Sequence, residues 1–398
     1  MLPSPITIKP LSIAAVLLAV GLLAGLSACN KKGGGASDNE ILIGEFASLT
    51  GNTATFGQSS HKGIEMAIDA VNASGGVLGK KLRLIVEDDQ SKPEEAQTVV
   101  TKLINKDRVV ALLGEIASSN SLAAAPVAQS SRIPMVSPGS TNPRVTMVGD
   151  YIFRVCFIDP FQGQVMAKFA ANTLKLKKVA ILRDIKSDYS VGLANFFSEH
   201  FTKLGGEIIA DESFSAGDKD FNAQLTSIKA KNPEGIFLPG YYTEVGLIAR
   251  QARKLGITVT IMGGDGWDSS KLLEIGGSAL NGTYYSNHYS VEDPNPILQK
   301  FAADYKARYG SKGDSIPDAM AALGYDAALI LADAMKRANS SHPDSVREAL
   351  AQTRGFMGVT GSITLDENRN AVKPAVVLEV FADAQGNGGT RFKETVSP

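Results

Sequence analysis

The chain has 398 residues, enough for two or more domains with sizeable cores. It is 44% hydrophobic and 20% charged, a composition that excludes wholesale disorder. Its 40 Lys and Arg against 41 Asp and Glu leave a net charge of −1, so nothing pulls the whole chain toward nucleic acid, and its 2 Cys and 4 His cannot assemble a zinc motif of ordinary spacing.

The run from Leu11 to Ala28, LSIAAVLLAVGLLAGLSA, is uncharged. Its length is near the minimum for a membrane-spanning anchor. A cleaved signal peptide over residues 1–28 fits better, because small residues lead straight into Cys29. Leu26-Ser27-Ala28-Cys29 resembles a bacterial lipobox. That resemblance implies that Cys29 is lipidated, becomes the first residue of the mature chain, and anchors it to the membrane. Residues 29–40 are Gly-rich and polar and read as a flexible tether. No later apolar segment is long enough to span a bilayer. Lipidation would leave Cys156 unpaired, and its setting in YIFRVCFI predicts burial.

From Ile41 onward, strand-like and helix-like segments alternate. ILIGEFASL is short and apolar, and the following GQSSHKGIEMAIDAVNAS carries Ile64, Ala67, Ile68 and Val71 at the spacing of one helix face. LRLIVEDD, VVALLGE and IPMVSPGS read as strands, separated by the helical EEAQTVVTKLINK and NSLAAAPVAQSS. Such βα repeats predict a parallel, doubly wound sheet. The pattern restarts near residue 158. KVAILRD, GEIIADES, GIFLPG and TVTIMGGD read as strands between amphipathic helices, so a second sheet of similar size follows. Two helical stretches, ILQKFAADYKARYG and AMAALGYDAALILADAMKRA, then precede a hairpin, SITLDENRNAVKPAVVLEVF, with its turn at Asp366–Asn370.

At this point the chain resembles the periplasmic leucine/isoleucine/valine-binding protein family, the type I solute receptors of ABC importers. The motifs that carry the resemblance are SLTG at Ser48–Gly51, GIEMAIDAVNASGGVLGKKL, VEDDQSKPEEA, SPGSTNP at Ser137–Pro143, GDKDF at Gly217–Phe221 and GYYTEVG at Gly240–Gly246, all in the same order. The resemblance implies an α/β fold of two doubly wound parallel-sheet lobes joined by three crossover strands. The N-terminal lobe would hold 40–158 and 288–368, and the C-terminal lobe 159–287 and 369–398. It also implies a periplasmic or cell-surface location, an inner-membrane ABC permease as partner, and a free amino acid, branched-chain or otherwise hydrophobic, as ligand.

The residues themselves point to the same site. Ligands of open α/β sheets bind at the carboxyl ends of the strands. Those ends read ASLTG, GEIASSN and SPGSTN in the first half, and RDIKSDY, PGYYTE and GGDGWD in the second. Ser118 and Ser119 precede a helix, where a cap and an anion site share one geometry. By resemblance, Ser118 and Thr141, with backbone N–H groups near Ser140, hold the α-carboxylate of the ligand. Asp265 pairs with its ammonium, with Tyr241 alongside. Branched-chain binders carry Glu at that place, so Asp keeps the charge and shortens the reach. Phe56 and Tyr189 match pocket walls, one from each lobe. Trp267, two residues beyond Asp265, is either a cleft or a core residue. The family disulfide between the regions of Asp89–Ser91 and Ala117 cannot form, because both places lack Cys.

Other patterns are decoys. GGVLGKK at Gly75–Lys81 follows a helix and lacks the P-loop ending, so it is a turn. Asp88-Asp89 reads as a solvated strand end rather than a metal site. No G-x-S-x-G elbow occurs and the histidines have no spaced partners, so the chain reads as a binding protein without cofactor or metal, not an enzyme. The alternative to transport is a sensing receptor of the same fold for amides, urea or amino acids.

Overall fold

The computed structural model describes residues 39–312, 315–383 and 388–397, together with Met1, Pro3 and Ser4. The apolar run of the expected signal peptide, Cys29 and the tether up to residue 38 lie outside the described residues. Among the described residues, no helix is long and apolar enough to cross a membrane.

The first sheet takes β1 (Glu40–Ala47), β2 (Lys81–Asp88), β3 (Ala111–Leu113), β4 (Met135–Ser137) and β5 (Ile152–Arg154) in the spatial order β2-β1-β3-β4-β5. All neighbours are parallel. β1 is buried along nearly its whole length, as a strand covered on both faces must be. Between the strands run α1 (Ala54–Ala73), α2 (Pro93–Asn105), α3 (Ser118–Ser130) and α4 (Arg144–Met147). The face predicted for α1 is the buried one, with Ile64, Ala67, Ile68 and Val71 inward.

The second half begins with α5 (Asp159–Lys168). It continues through β6 (Lys178–Asp184), α6 (Asp188–Lys203), β7 (Glu207–Phe214), α7 (Asn222–Ala230), β8 (Gly235–Phe237), α8 (Tyr242–Lys254), β9 (Thr260–Gly263), α9 (Ser270–Gly276) and β10 (Thr283–Asn287). The chain then supplies α10 (Pro296–Tyr309), α11 (Ala319–Ala338) and α12 (Pro343–Ala351). A small sheet of β11 (Phe356–Gly358), β12 (Gly361–Leu365) and β13 (Ala371–Val372) follows, then the hairpin of β14 (Ala375–Ala382) and β15 (Gly388–Val396). The second sheet has seven strands in the order β15-β14-β10-β9-β8-β6-β7. Its core is parallel, and β14 and β15 extend it antiparallel.

The turn at Asp366–Asn370 is closed by the Asp366 N–H donating to the Asn370 carbonyl at 2.9 Å. The strand after it splits, however. Ala371–Val372 stays with β12, and Ala375 onward joins the second sheet. Two strands escape periodicity because they are short and lie inside apolar or aromatic runs, β5 in YIFRV and β10 in TYYSN.

α11 packs back on α1 through reciprocal glycines. A Cβ on Gly63 would lie 1.9 Å from the Ala321 carbonyl oxygen, and one on Gly324 would lie 2.4 Å from that of Ser60. This close crossing brings Met320 to the carboxyl end of the first sheet.

Candidate functional site

Both strand orders reverse direction once, between β1 and β3 in the first sheet and between β6 and β8 in the second. Side chains beyond those strand ends are free to meet a ligand. The loops after these strands and their neighbours face one another across a small cavity. Phe56, Ile116, Gly139, Thr141 and Met320 line it from the first side, and Tyr189, Tyr241, Asp265 and Gly266 from the second.

On the first side, Thr141 is buried and its hydroxyl faces the Asp159 carboxylate. Neither Thr141 Oγ1 nor either Asp159 oxygen completes a well-formed hydrogen bond with the protein. The loop is held from behind by Arg154, whose guanidinium donates to the carbonyls of Ser140 and Asn142. Ser118 is the first residue of α3 rather than its cap. Ala117 holds the cap position without a side-chain bond, and Ser118 Oγ accepts from the Asn142 N–H at 3.2 Å. Ser140 is turned inward. Its N–H donates to Ser137 Oγ at 2.9 Å, and its hydroxyl bonds the Glu115 carbonyl at 2.9 Å and Ser121 Oγ at 2.7 Å. The expectation that the Ser140 N–H faces a ligand is therefore corrected, because the tight SPGS turn uses that group internally.

On the second side, Tyr189 and Tyr241 stack with centroids 5.3 Å apart and planes 5° from parallel. Phe56 crosses from α1 to meet Tyr241 edge-on at 5.5 Å. Gly264 and Gly266 make room for this stack. A Cβ on Gly264 would lie 2.4 Å from the Tyr189 hydroxyl, and one on Gly266 2.9 Å from Tyr241 Cδ1. Tyr189 Oη accepts from the Gly266 N–H at 3.1 Å. Trp267 belongs to the core, with its indole N–H donating to the Leu238 carbonyl at 3.0 Å.

Asp265 is clamped from two directions. Gln162 Nε2 donates to Oδ1 at 3.0 Å and Gln162 Oε1 accepts the Asp265 N–H at 3.1 Å. His288 Nε2 meets Oδ2 at 3.0 Å. Burial pushes the Asp159 carboxyl well up, with the Asp265 charge adding to the effect. Burial pushes His288 down, against the pull of Asp265. Burial also pushes the Tyr189 and Tyr241 hydroxyls up, so both stay neutral at pH 7. Cys156 is buried and free, and desolvation lifts its thiol to about 12, which makes it an inert packing residue.

Asp159, Gln162 and His288 were not among the sequence candidates. Asp159 precedes Pro160 at a helix start and reads as an ordinary capping acid. His288 lies 23 positions from its partner, in no recognisable motif. The lack of a spaced partner for the histidines is thus overturned in space. Asp89 is also corrected. It is fully buried, accepting from Ser48 Oγ at 2.9 Å, the Ser91 N–H at 3.0 Å and Asn120 Nδ2 at 3.3 Å.

The two rims of the cleft touch. Asp188 accepts from Ser119 Oγ at 2.9 Å and from Arg144 at 3.0 Å, and Asn142 Nδ2 reaches the Asp188 carbonyl at 2.8 Å. Opposite them, Thr55 Oγ1 lies 2.8 Å from Ser269 Oγ, and Thr243 Oγ1 donates to the Asn52 carbonyl at 3.2 Å.

A cleft between two parallel sheets, closed over an acid and unpartnered polar groups, is the architecture of a bilobal solute receptor. The periplasmic binding protein family matches residues 40–387, and the chain belongs to that family. The resemblance read from the sequence motifs is confirmed. The structure is similar to a leucine binding protein, LivK, from Thermotoga maritima, with 42% identity, a TM-score of 0.85, and coverage of 90% of this chain and 99% of that one. It is also similar to the branched-chain amino acid transporter substrate-binding protein LivJ from Streptococcus pneumoniae, solved with isoleucine. There the identity is 34%, the TM-score 0.82, and the coverage 90% and 100%. An amino acid binding protein of Pseudomonas aeruginosa is 32% identical over 317 residues, 78% of this chain and 82% of that protein.

Proposed function

We propose that this protein is the extracytoplasmic receptor of an ABC importer, capturing a free amino acid with a branched-chain or other hydrophobic side chain and delivering it to the permease. The observation that carries the reading is the opposition of Thr141, whose hydroxyl completes no well-formed hydrogen bond, to the clamped Asp265, across a cavity otherwise walled by Ile116, Met320, Phe56 and the tyrosine pair. A buried ammonium requires a negative partner, and Asp265 supplies it. The carboxylate of the ligand lies toward Thr141, Ser118 and the start of α3. The apolar walls take its side chain.

Closure follows from contacts on both sides of the cleft. Two lobes, 40–158 with 288–368 and 159–287 with 369–398, rotate about the three passages between the sheets. Scattering should then show a smaller radius of gyration with ligand. Lipidation at Cys29 tethers the receptor to the membrane, and Cys29→Ala should abolish fatty-acid labelling and release the protein. The relatives named as leucine and branched-chain binders support the ligand class.

A thermal-shift screen of the soluble domain against all amino acids tests the central reading. Leucine, isoleucine or valine at about 100 times Kd should stabilise the protein by about 2.7 kcal/mol. Stabilisation by aromatic acids or amides alone would overturn it.

A further inference from the structure

Each passage between the two sheets carries a buried titratable side chain. Cys156 and Asp159 lie on the first, His288 on the second and Lys373 on the third. Of these, His288 is bonded directly to the acid on the cavity wall. Its ring stacks on Phe157 with centroids 3.8 Å apart, and its Nε2 lies 3.0 Å from Asp265 Oδ2. A carboxylate only accepts, so Nε2 carries the proton and Nδ1 is the lone pair. Nδ1 has no protein partner. The neutral ring thus orients Asp265 with one hydrogen bond, while Gln162 holds the other oxygen.

We infer that His288 is a positioning residue for ammonium recognition, and that as an imidazolium it competes with the ammonium of the ligand for Asp265. This rests on the amino-acid reading above. One buried carboxylate balances one cation well. With the ring neutral, Asp265 is free to pair with the ligand. With the ring protonated, the ammonium meets a neutralised pair and a second positive charge a few ångströms away.

The charged groups facing the ring divide. Asp265 and Asp268, on the turn after β9 and just past it, favour its protonation, whereas Lys373 on the third passage opposes it. Burial outweighs them and holds the ring below its ordinary range, so it is neutral at pH 7. A bound ammonium lowers it further by repulsion. Binding therefore releases a proton, and affinity is full above the titration of the ligand-free form and falls as the pH drops through it. The receptor would hold its ligand near neutrality and loosen it in an acidified compartment.

Calorimetry with leucine, isoleucine and valine on the soluble domain at pH 7.5 and 5.0 tests this, since these ligands keep both charges across that range. For the tightest of them, Kd in the wild-type protein should be higher at pH 5.0 than at pH 7.5, by up to about one decade per pH unit below the imidazole titration. His288→Gln keeps a donor for Asp265 but cannot titrate, so its ratio of Kd values should lie near one, whatever its absolute affinity. The imidazole of His288, one of 4 in the chain, should titrate at lower pH with ligand than without in proton NMR. Should His288→Gln fail to fold, this wild-type titration decides alone. Equal wild-type affinity at the two pH values, an unmoved imidazole titration, or an undiminished pH dependence in His288→Gln overturns the inference while leaving the receptor reading intact. Failure of all three ligands to bind at pH 7.5 overturns the branched-chain reading, and failure of every amino acid in the thermal-shift screen overturns the amino-acid reading and this inference with it.

Discussion

Two pairs of buried acids lie at the carboxyl ends of the strands, and they differ in what surrounds them. Asp89 and Glu115 share Ser48. Its N–H donates to Glu115 Oε1 at 2.9 Å, and its hydroxyl lies 2.6 Å from that oxygen and 2.9 Å from Asp89 Oδ1. Asn120 and the Ser91 N–H complete Asp89 Oδ1, and the Ala117 N–H reaches the second Glu115 oxygen. Every partner comes from the first half of the chain. Asp159 and Asp265 belong to the second half; Asp159 is buried behind Thr141 with no well-formed bond, and Asp265 lines the cavity, held by Gln162 and His288. Burial raises Asp89, Glu115 and Asp159 alike. Titration therefore does not separate a structural acid from a binding one. The surroundings do: Asp89 and Glu115 are tied through Ser48 to loops of the first half, although Asp89 Oδ2 also lacks a partner, whereas Asp265 lines the cavity between the halves.

The largest effect that follows is on binding. Asp265→Asn keeps the shape of the site but removes the charge opposite the ammonium. Leaving that ammonium buried and unpaired should cost about 3–5 kcal/mol, a loss of several hundred-fold or more in affinity. Calorimetry with leucine measures it. Affinity close to wild type would mean that Asp265, like Asp89, serves only its own turn. Thr141→Val should cost less, about 1.5–3 kcal/mol, because one bond to a charged group is lost. The ranking of the two variants is the test, and the reverse order would place the dominant charge on the carboxylate side.

The first acid pair should show itself in stability. A carboxyl raised in the folded state binds more protons there than in the unfolded chain. Stability is then full below the unfolded value, near pH 4, and is lost as pH rises through the folded one. Asp89 and Glu115 both act in this direction. Melting the ligand-free protein between pH 5 and 9 should reveal a fall of about 1–2 kcal/mol, since each tenfold difference in proton affinity between folded and unfolded chain is worth about 1.4 kcal/mol before solvent screening reduces it. Glu115→Gln should flatten the curve and leave leucine affinity within about twofold, because the Glu115 carboxyl bonds Ser48 and the Ala117 N–H and does not itself line the cavity. A large loss of affinity would merge the two clusters into one site.

The same contrast explains which parts were readable from the residues. The sheets were, because contiguous apolar runs such as ILIGEF and VAILRD sit between helices of regular spacing. Asp265 and Tyr241 were placed beside the cleft by motifs after such runs. Asp159 and His288 were not, since each is a lone polar residue where the chain passes between sheets, and their meaning arises only when 3 passages converge. Asp89 looked solvated because it follows Asp88, whose own carboxylate accepts from the Leu49 and Thr50 N–H groups at a half-exposed turn. Strand alternation does not reveal that the next side chain points under Ser48. Ser140 was misjudged for the opposite reason: its neighbour Thr141 faces the cavity, but a turn sends adjacent residues to opposite sides.

The smallest predicted effect lies on the rim, away from both acid pairs. Asp188 caps the gap from the second side by accepting from Ser119 and Arg144, and its carbonyl takes Asn142 Nδ2. These bonds join the two rims, so the proposed hinge opening would have to break them, without their touching the ligand. The Arg144 side chain is 69% exposed and that of Asp188 36%, so solvent screens their pairing. An exposed ion pair of this kind contributes about 0.2–1 kcal/mol. Asp188→Ala should therefore raise the leucine dissociation rate about two- to fivefold and leave the association rate nearly unchanged, because most effects of contact mutations fall on dissociation. Stopped-flow measurement on both proteins separates the two rates. A slower association with unchanged dissociation would show that Asp188 guides the open form instead of holding the closed one.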